Sequence, residues 1–239
     1  MALYLIATPI GNLADISARA RDTLAQADLL AAEDTRSARR LLSALNLPLH
    51  GRELVSYGEH NEKAMAPRLA ERLKLGQTVA LLSDGGTPLI SDPGYRLVRA
   101  AIEANVAVVP VPGACAAIAA LSGSGLPVHG FLFRGFLPKK PGARRKILER
   151  LKGREETLIF YESPQRLGQV LPELAEVLGA GRQACIAREL TKIHETFERD
   201  TLGALAARFS TAPPPKGECT LLIAGVDAHE PRDHGHPEG

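Results

Sequence analysis

The sequence predicts an α/β protein of two lobes with mostly parallel sheets, and three observations carry that prediction. Short apolar runs alternate with helical patterns through residues 3–121. Turn-forming loops rich in Gly and Pro follow those runs directly, as strand-to-helix connections do. Periodicity is then lost over residues 122–130, Ser-Gly-Ser-Gly-Leu-Pro-Val-His-Gly, before the alternation restarts. Repeated strand–helix alternation implies parallel strands covered on both faces.

The elements follow in order. Residues 3–7 form a first apolar strand closed by Thr8-Pro9-Ile10-Gly11-Asn12, and residues 16–30 carry helical spacing at Ala20, Leu24 and Ala27. Residues 79–82 form a strand, residues 83–94 a long loop and residues 95–104 a helix. Residues 106–109 form a strand, 110–113 a turn and 114–121 a helix. The second half restarts with a strand at Phe131–Phe136, a basic stretch, a strand over 157–161, a helix beginning near Pro164, a strand over 184–188 and a last strand over 220–224. The expected domains are residues 1–122 and 130–226, with a tail over 227–239 whose His, Pro and Gly content predicts disorder.

Composition narrows the function classes. At 239 residues the chain suits two small cores, because single cores rarely grow beyond about 250 residues. Apolar residues at 45% and charged residues at 23% exclude a disordered chain. The net charge of +2 announces no nucleic-acid partner by itself, so any such partner must be met by local clustering. Cys115, Cys185 and Cys219 are far apart with no C-x-x-C spacing, which fits a reducing cytoplasm and argues against a disulfide framework or a thiolate zinc site. No apolar run approaches the roughly 18 residues of a membrane helix, and the N-terminus lacks the basic region of a signal peptide, so no membrane association is expected.

In parallel α/β sheets, ligands meet the chain beyond the carboxyl ends of strands. Thr8 to Asn12, Glu33-Asp34-Thr35-Arg36, the loop of residues 83–94, Pro112-Gly113, Tyr161-Glu162-Ser163-Pro164 and residues 188–195 occupy such positions. The loop of residues 83–94 packs three glycines, two prolines and two aspartates into twelve residues, far more than a connection of about two to six residues needs. Its bland reading is a long connection capped by Asp92. It lacks the Gly-Lys-Ser/Thr of a phosphate loop, and no G-x-G-x-x-G follows the first strand. Two aspartates without a nearby lysine suit hydroxyl and amine donors instead, such as a ribose or the amino end of S-adenosylmethionine.

Thr8-Pro9-Ile10-Gly11-Asn12-Leu13, Ala32-Glu33-Asp34-Thr35-Arg36, Ser83-Asp84-Gly85-Gly86-Thr87-Pro88 with Ser91-Asp92-Pro93-Gly94, Phe160-Tyr161-Glu162-Ser163-Pro164 and Ala187-Arg188-Glu189-Leu190-Thr191-Lys192 resemble, in this order, the motifs of the ribosomal RNA small subunit methyltransferase I family. The resemblance implies the tetrapyrrole methylase-like fold of class III S-adenosylmethionine methyltransferases, with the donor in the cleft of two lobes. It implies 2′-O-methylation of a decoding-centre cytidine (cytidine-1402) of 16S ribosomal RNA, with free RNA or the small ribosomal subunit as partner, and a homodimer. It assigns donor contacts to Ile10, Ser83, Asp84, Gly85, Thr87, Cys115, Ala116, Tyr161 and Gly217. Three departures stand out: Gly85 replaces the family's usual alanine, Ala114-Cys115 replaces Pro-Ser, and many relatives continue into a C-terminal helical extension that bears on how RNA is gripped.

A ribose hydroxyl is a weak nucleophile that benefits from a positioned base. Glu33, Asp34, Glu189 and Lys192 are the candidates, each alternatively a structural cap or ion pair. Arg36 and Arg188 are candidate phosphate contacts. Residues 139–154 hold Lys139, Lys140, Arg144, Arg145, Lys146, Arg150, Lys152 and Arg154 against a single acid, Glu149. That stripe is either a solvated helix face or a phosphate-binding surface. Tyr57 is either a base-stacking residue or a structural one. His194 has no second ligand at zinc spacing, and His234 and His236 lie in the tail, so no metal is expected. Two alternatives stay open: a methylase of the same fold acting on a tetrapyrrole or a modified protein histidine, and a non-catalytic RNA-binding ribosome factor.

Overall fold

The computed structural model describes residues 1–226. The tail expected to be disordered, with His234 and His236, lies outside the described residues. The chain divides into two compact units, one spanning Met1–Cys115 and the other beginning at Ala116.

The first unit contains β1 (Leu3–Ile6), α1 (Ala18–Gln26), β2 (Leu29–Ala32), α2 (Thr35–Ala44), β3 (Glu53–Ser56), α3 (Glu62–Lys74), β4 (Val79–Leu82), α4 (Tyr95–Glu103) and β5 (Val108–Val111). Its strands lie in the order β3-β2-β4-β1-β5, every pairing parallel. The period-2 alternation of a strand distributes one apolar run between two cores. Leu29, Ala31, Val79 and Leu81 face the cluster that holds Leu69, Leu73 and Leu97 of α3 and α4. Leu30, Ala32, Ala80 and Leu82 face the cluster that holds Ala20, Leu24, Ala38 and Leu42 of α1 and α2.

Several boundaries differ from expectation, two of them in the first unit with a clear physical reason. The helix predicted over residues 16–30 starts after Ser17, whose side chain caps Ala20 N–H at 3.1 Å, and ends at Gln26. Leu29 and Leu30 belong to β2 instead, because a run buried on both faces completes the sheet between β3 and β4. The strand predicted over 106–109 extends through Pro110, which β5 tolerates as an edge strand.

The second unit contains α5 (Ala116–Ser124), β6 (Phe131–Phe136), α6 (Pro141–Leu151), β7 (Thr157–Glu162), α7 (Leu167–Leu178), β8 (Gln183–Arg188), β9 (Thr196–Thr201), α8 (Leu202–Thr211) and β10 (Cys219–Ile223). The order is β6-β7-β10-β8-β9. Parallel pairing dominates the chain as a whole, but this second sheet is mixed: β6 and β7 run parallel, while β10 is antiparallel to both β7 and β8, and β9 to β8. One face packs on α6, α7 and α8 through Leu158, Phe160, Ile186, Leu221 and Ile223. The other face is crossed by α5.

The sequence places a domain hinge at residues 122–130, whereas the units part at Cys115. The reason is packing: α5 lies on β7, β8, β9 and β10, and its last turn is tied to β9 by Arg199, whose Nε donates to the Ser124 carbonyl at 3.0 Å. Gly123 sits against the Phe197 ring so closely that a Cβ would stand 2.5 Å from it.

Leu221 is fully buried on the central strand β10. Leu221→Ala should lower the unfolding free energy by about 2–5 kcal/mol, read as a reduced urea midpoint at unchanged slope; a loss below about 1 kcal/mol would show that this core collapses around the cavity.

Candidate functional site

All five strands of the first unit are parallel, so the loops leaving their carboxyl ends gather on one edge of the sheet. The loop of residues 83–94 is stitched to the exit of β1 there. Thr8 N–H donates to the Gly86 carbonyl at 2.8 Å and Gly86 N–H to the Thr8 carbonyl at 3.0 Å. The Thr8 hydroxyl donates to the Ser83 carbonyl at 3.2 Å, and the Ser83 hydroxyl to the Gly86 carbonyl at 2.7 Å. The Thr87 hydroxyl donates to the Ala114 carbonyl at 3.0 Å, fixing the loop to the segment that ends in Cys115. Ser83 and Thr87 therefore spend their hydroxyl protons on backbone carbonyls, one within the loop and one beside it, which leaves main-chain groups and oxygen lone pairs for a ligand.

Within the same loop Gly86, Leu89, Ser91 and Gly94 all have positive φ. Such a backbone persists only where the surroundings over-determine it. Leu89 packs against the α3–α4 core. Glu62, a residue the sequence did not single out, accepts Gly94 N–H at 3.0 Å, Arg96 N–H at 3.1 Å and the Tyr57 hydroxyl at 3.2 Å. Gly94, not Asp92, is the N-cap of α4, and its φ of 143° with Leu89 2.8 Å from a hypothetical Cβ explains why glycine is required. Tyr57 is fully buried with its hydroxyl on Glu62, so it is structural and not a base-stacking residue.

Three carboxylates meet at this edge and influence one another. Asp84 accepts Asp34 N–H at 3.2 Å. Burial, then Glu33 and then Asp84 push the Asp92 carboxyl up to about 7. Burial first, with Asp84 and Glu59 adding to it, raises Glu33. Asp34 is the opposite case: its Oδ1 caps α2 by accepting Arg36 N–H at 2.7 Å, its carboxylate forks onto the Arg36 guanidinium, and these bonds hold it down at about 2. Asp34 and Arg36 thus serve the start of α2. Ile10 lies against Gly85 and Gly86, its Cγ2 3.4 Å from where a Gly86 Cβ would stand.

In the second unit β6, β7 and β8 run in one direction, so their carboxyl ends share an edge with the start of β10. Tyr161 stands there with its hydroxyl accepting Ala117 N–H at 3.3 Å and its ring edge-on to Phe133 and Phe136. Gly217, at φ 99°, lies against Glu189, whose carboxylate would overlap any Cβ on it. Glu189 and Lys192 form an ion pair of 2.9 Å shared with Glu218. The Lys192 ammonium lowers Glu189, and the two carboxylates hold Lys192 up against its own desolvation. Arg188 donates to the Lys216 carbonyl at 3.2 Å. Cys115 is partly exposed, while Cys185 and Cys219 are buried and their thiols pushed up to about 11 and about 12.

The basic stretch separates into two kinds of residue. Arg144 is 1% exposed, bonded to Glu173 at 2.7 Å and to the carbonyls of Pro138 and Lys139. It is a core residue, and its expected role as a phosphate contact is overturned. The turn of α6 that places Leu148 and Leu151 in the core carries Arg144 inward with them. Arg145 is exposed but paired with Glu176 and Glu149. Lys139, Lys140, Lys146, Arg150 and Lys152 are exposed. Among the described residues no group of His, Cys, Asp and Glu is placed to hold a metal ion, and no helix is long and apolar enough to cross a membrane.

A parallel sheet whose strand ends carry strained Gly-rich loops, joined in the same chain to a mixed five-stranded unit, is the architecture of a methylase class. The family model for Tetrapyrrole (Corrin/Porphyrin) Methylases matches residues 2–206. Solved relatives of that shape include the uroporphyrin-III-C-methyltransferase from Thermus thermophilus (TM-score 0.64, 21% identity, 93% of this chain and 94% of that one) and the methyltransferase CobJ (TM-score 0.67, 19% identity, 94% of each). Among curated proteins, the ribosomal RNA small subunit methyltransferase I of Mesorhizobium japonicum is 52% identical over 97% of this chain and 79% of its own length; that of Haemophilus influenzae is 46% identical over 99% and 83%. The chain belongs to the ribosomal RNA small subunit methyltransferase I family, and it is an enzyme, a methyltransferase.

The Asp92 carboxyl, at about 7 in the folded state against 3.8 ordinarily, holds its proton more tightly folded than unfolded. The contribution of Asp92 to stability therefore falls as pH rises between about 4 and 7, and Glu33 acts in the same direction. Asp92→Asn should gain on the wild type in urea midpoint as pH is raised from about 5 to about 8; a constant difference across that range would show that Asp92 ionises normally.

Proposed function

We propose that this enzyme transfers the methyl group of S-adenosylmethionine to the ribose 2′-hydroxyl of a decoding-centre cytidine (cytidine-1402) in 16S ribosomal RNA, in the cytoplasm and as a homodimer. The observation that carries the reading is the identity of 46–52% with relatives named for the small-subunit RNA, over 97–99% of this chain. The fold alone does not discriminate, since the tetrapyrrole methylases share it at 19–21% identity. Likeness at the level of whole-chain sequence favours RNA over a tetrapyrrole.

The first unit's loop fits the donor chemically. Asp84 is exposed beside the exposed main chain of Gly85, giving a carboxylate acceptor for hydroxyl or ammonium donors and backbone that a ligand can approach closely. Ile10, Ser83, Thr87 and Cys115, with Ala116, Tyr161 and Gly217 of the second unit, complete the proposed donor contacts. S-adenosylmethionine supplies an electrophilic methyl on a sulfonium, a reaction limited by alignment and by exclusion of water. The 2′-oxygen forms the new bond to carbon as the carbon–sulfur bond breaks, and the hydroxyl proton must pass to a base. Of the four candidates, Asp34 is held at about 2 by Arg36, and Glu189 and Lys192 neutralise each other. Glu33, raised by burial and then by Asp84, follows β2 at the same sheet edge as Asp84, and we assign it the role of base.

Loss of the cytidine 2′-O-methyl in 16S RNA from cells lacking the gene, read by mass spectrometry, is the expected result; an unchanged methylation pattern sinks the assignment. Asp84→Ala should weaken S-adenosylmethionine binding about ten- to a hundredfold, and wild-type affinity in calorimetry would show that the donor sits elsewhere. Glu33→Gln should lower kcat about 10²- to 10⁴-fold while donor affinity holds; an unchanged kcat would remove it as the base.

A further inference from the structure

The strand β6 carries an irregularity that the mechanism above does not use. Phe131, Leu132 and Phe133 pair in order with Thr157, Leu158 and Ile159 of β7, but the next partner of Tyr161 is Phe136, so one residue is inserted between Phe133 and Phe136. Gly135, at φ 64°, lies within that bulge. Without the insertion Phe136 would fall on the opposite face of the sheet, toward the core of α6 and α7, because a shift of one residue reverses every side chain. The bulge instead aims it to the face of Tyr161, where the two rings meet edge-on at 5.6 Å. The cost is exposure: Phe136 is 61% accessible, at the carboxyl end of an edge strand.

The chain just after Phe136 is nevertheless held firmly. Arg166 donates to the carbonyls of Leu137 and Pro138 at 3.1 Å each, anchored in turn on the buried Glu162. Arg144 donates to the carbonyls of Pro138 and Lys139. Two arginines consumed in this way fix the backbone beneath an exposed aromatic ring. Along the chain it is flanked by Arg134, Lys139 and Lys140, all exposed, and the run Phe131 to Pro141 contains no acid. An aromatic face on firmly held backbone, in a chain segment whose only charged residues are cations, matches the way single-stranded nucleic acid is held, one base stacked and the neighbouring phosphates neutralised.

We propose that Phe136 is a base-stacking platform for the RNA substrate, with Lys139 and Lys140 receiving flanking phosphates. This rests on the RNA reading above and deepens it, since it names the part of the second unit that engages an unstacked base. Charge favours RNA over a second copy of the chain: an apolar self-interface gains nothing from three exposed cations in the same segment, whereas a phosphate backbone does.

The protein contains no tryptophan, so Phe136→Trp installs a single indole at the proposed platform. With a single-stranded oligoribonucleotide carrying the decoding-centre cytidine, and with small subunits lacking the methyl group, F136A should raise the KM for RNA about ten- to a hundredfold and leave S-adenosylmethionine affinity unchanged. F136W should retain activity, and its fluorescence should be quenched by RNA and not by the donor. An F136A enzyme with wild-type KM for RNA, or an F136W signal indifferent to RNA, overturns the proposal. So does a matching loss of donor affinity, which would put the ring in the donor pocket, or a shift of F136A from dimer to monomer in sedimentation, which would make it an interface. Should the wild type methylate neither RNA probe, the parent reading fails; wild-type methylation with an unimpaired F136A overturns the stacking role alone.

Discussion

Two backbone hydrogen bonds between Thr8 and Gly86, at 2.8 and 3.0 Å, prolong contact between the loops that leave β1 and β4 after the strands themselves have ended. The rest of the first unit's candidate site depends on that stitch. Ser83 is buried and bonded beneath it, Thr87 is tied to Ala114, and Asp84 is left exposed with its carboxylate on Asp34 N–H. Four residues of this one loop adopt positive φ, a conformation that non-glycine residues reach only at a cost of about 1–3 kcal/mol each. Glu62 and the α3–α4 core hold them there. A loop stabilised this way presents main-chain groups to a ligand without first having to be ordered.

Electrostatics divides the acids of this edge by environment and not by residue type. Asp34 is drawn down by the Arg36 guanidinium and the start of a helix, while Asp92 and Glu33 are raised by burial beside other carboxylates. Neighbouring groups whose ionisation is pushed in opposite directions suit the function proposed above, in which the site binds a cationic donor and takes up a proton. The second unit treats its charges otherwise: Lys192 bridges Glu189 and Glu218, and Arg144 is sealed against Glu173, which turns ionisable residues into scaffold.

Much of the site was legible because a parallel α/β sheet puts ligand-facing residues after strands, and residues after strands are visible as Gly- and Pro-rich breaks in apolar periodicity. Thr8, Glu33, Ser83 and Asp84 became candidates that way. Glu62 escaped because its partners are main-chain N–H groups 32 and 34 residues away, which leave no mark on composition. Tyr57 stayed open between two roles and Arg144 was misjudged for one reason: a polar group on an aromatic or cationic side chain looks available until its partner, Glu62 or Glu173, is brought to it by another element.

By itself, then, the sequence determined the α/β class, the parallel first sheet, the strand-end loops and the family, since these rest on local periodicity, turn chemistry and motif order. Tertiary structure decided the mixed pairing of the second sheet, where β9 and β10 reverse direction, and the membership of α5, which packs with the second unit. It also decided which cations of residues 139–154 face solvent and which way Phe136 points. Each of these depends on register or on contacts across tens of residues, and a one-residue bulge at Gly135 is enough to turn a ring from the core to the surface.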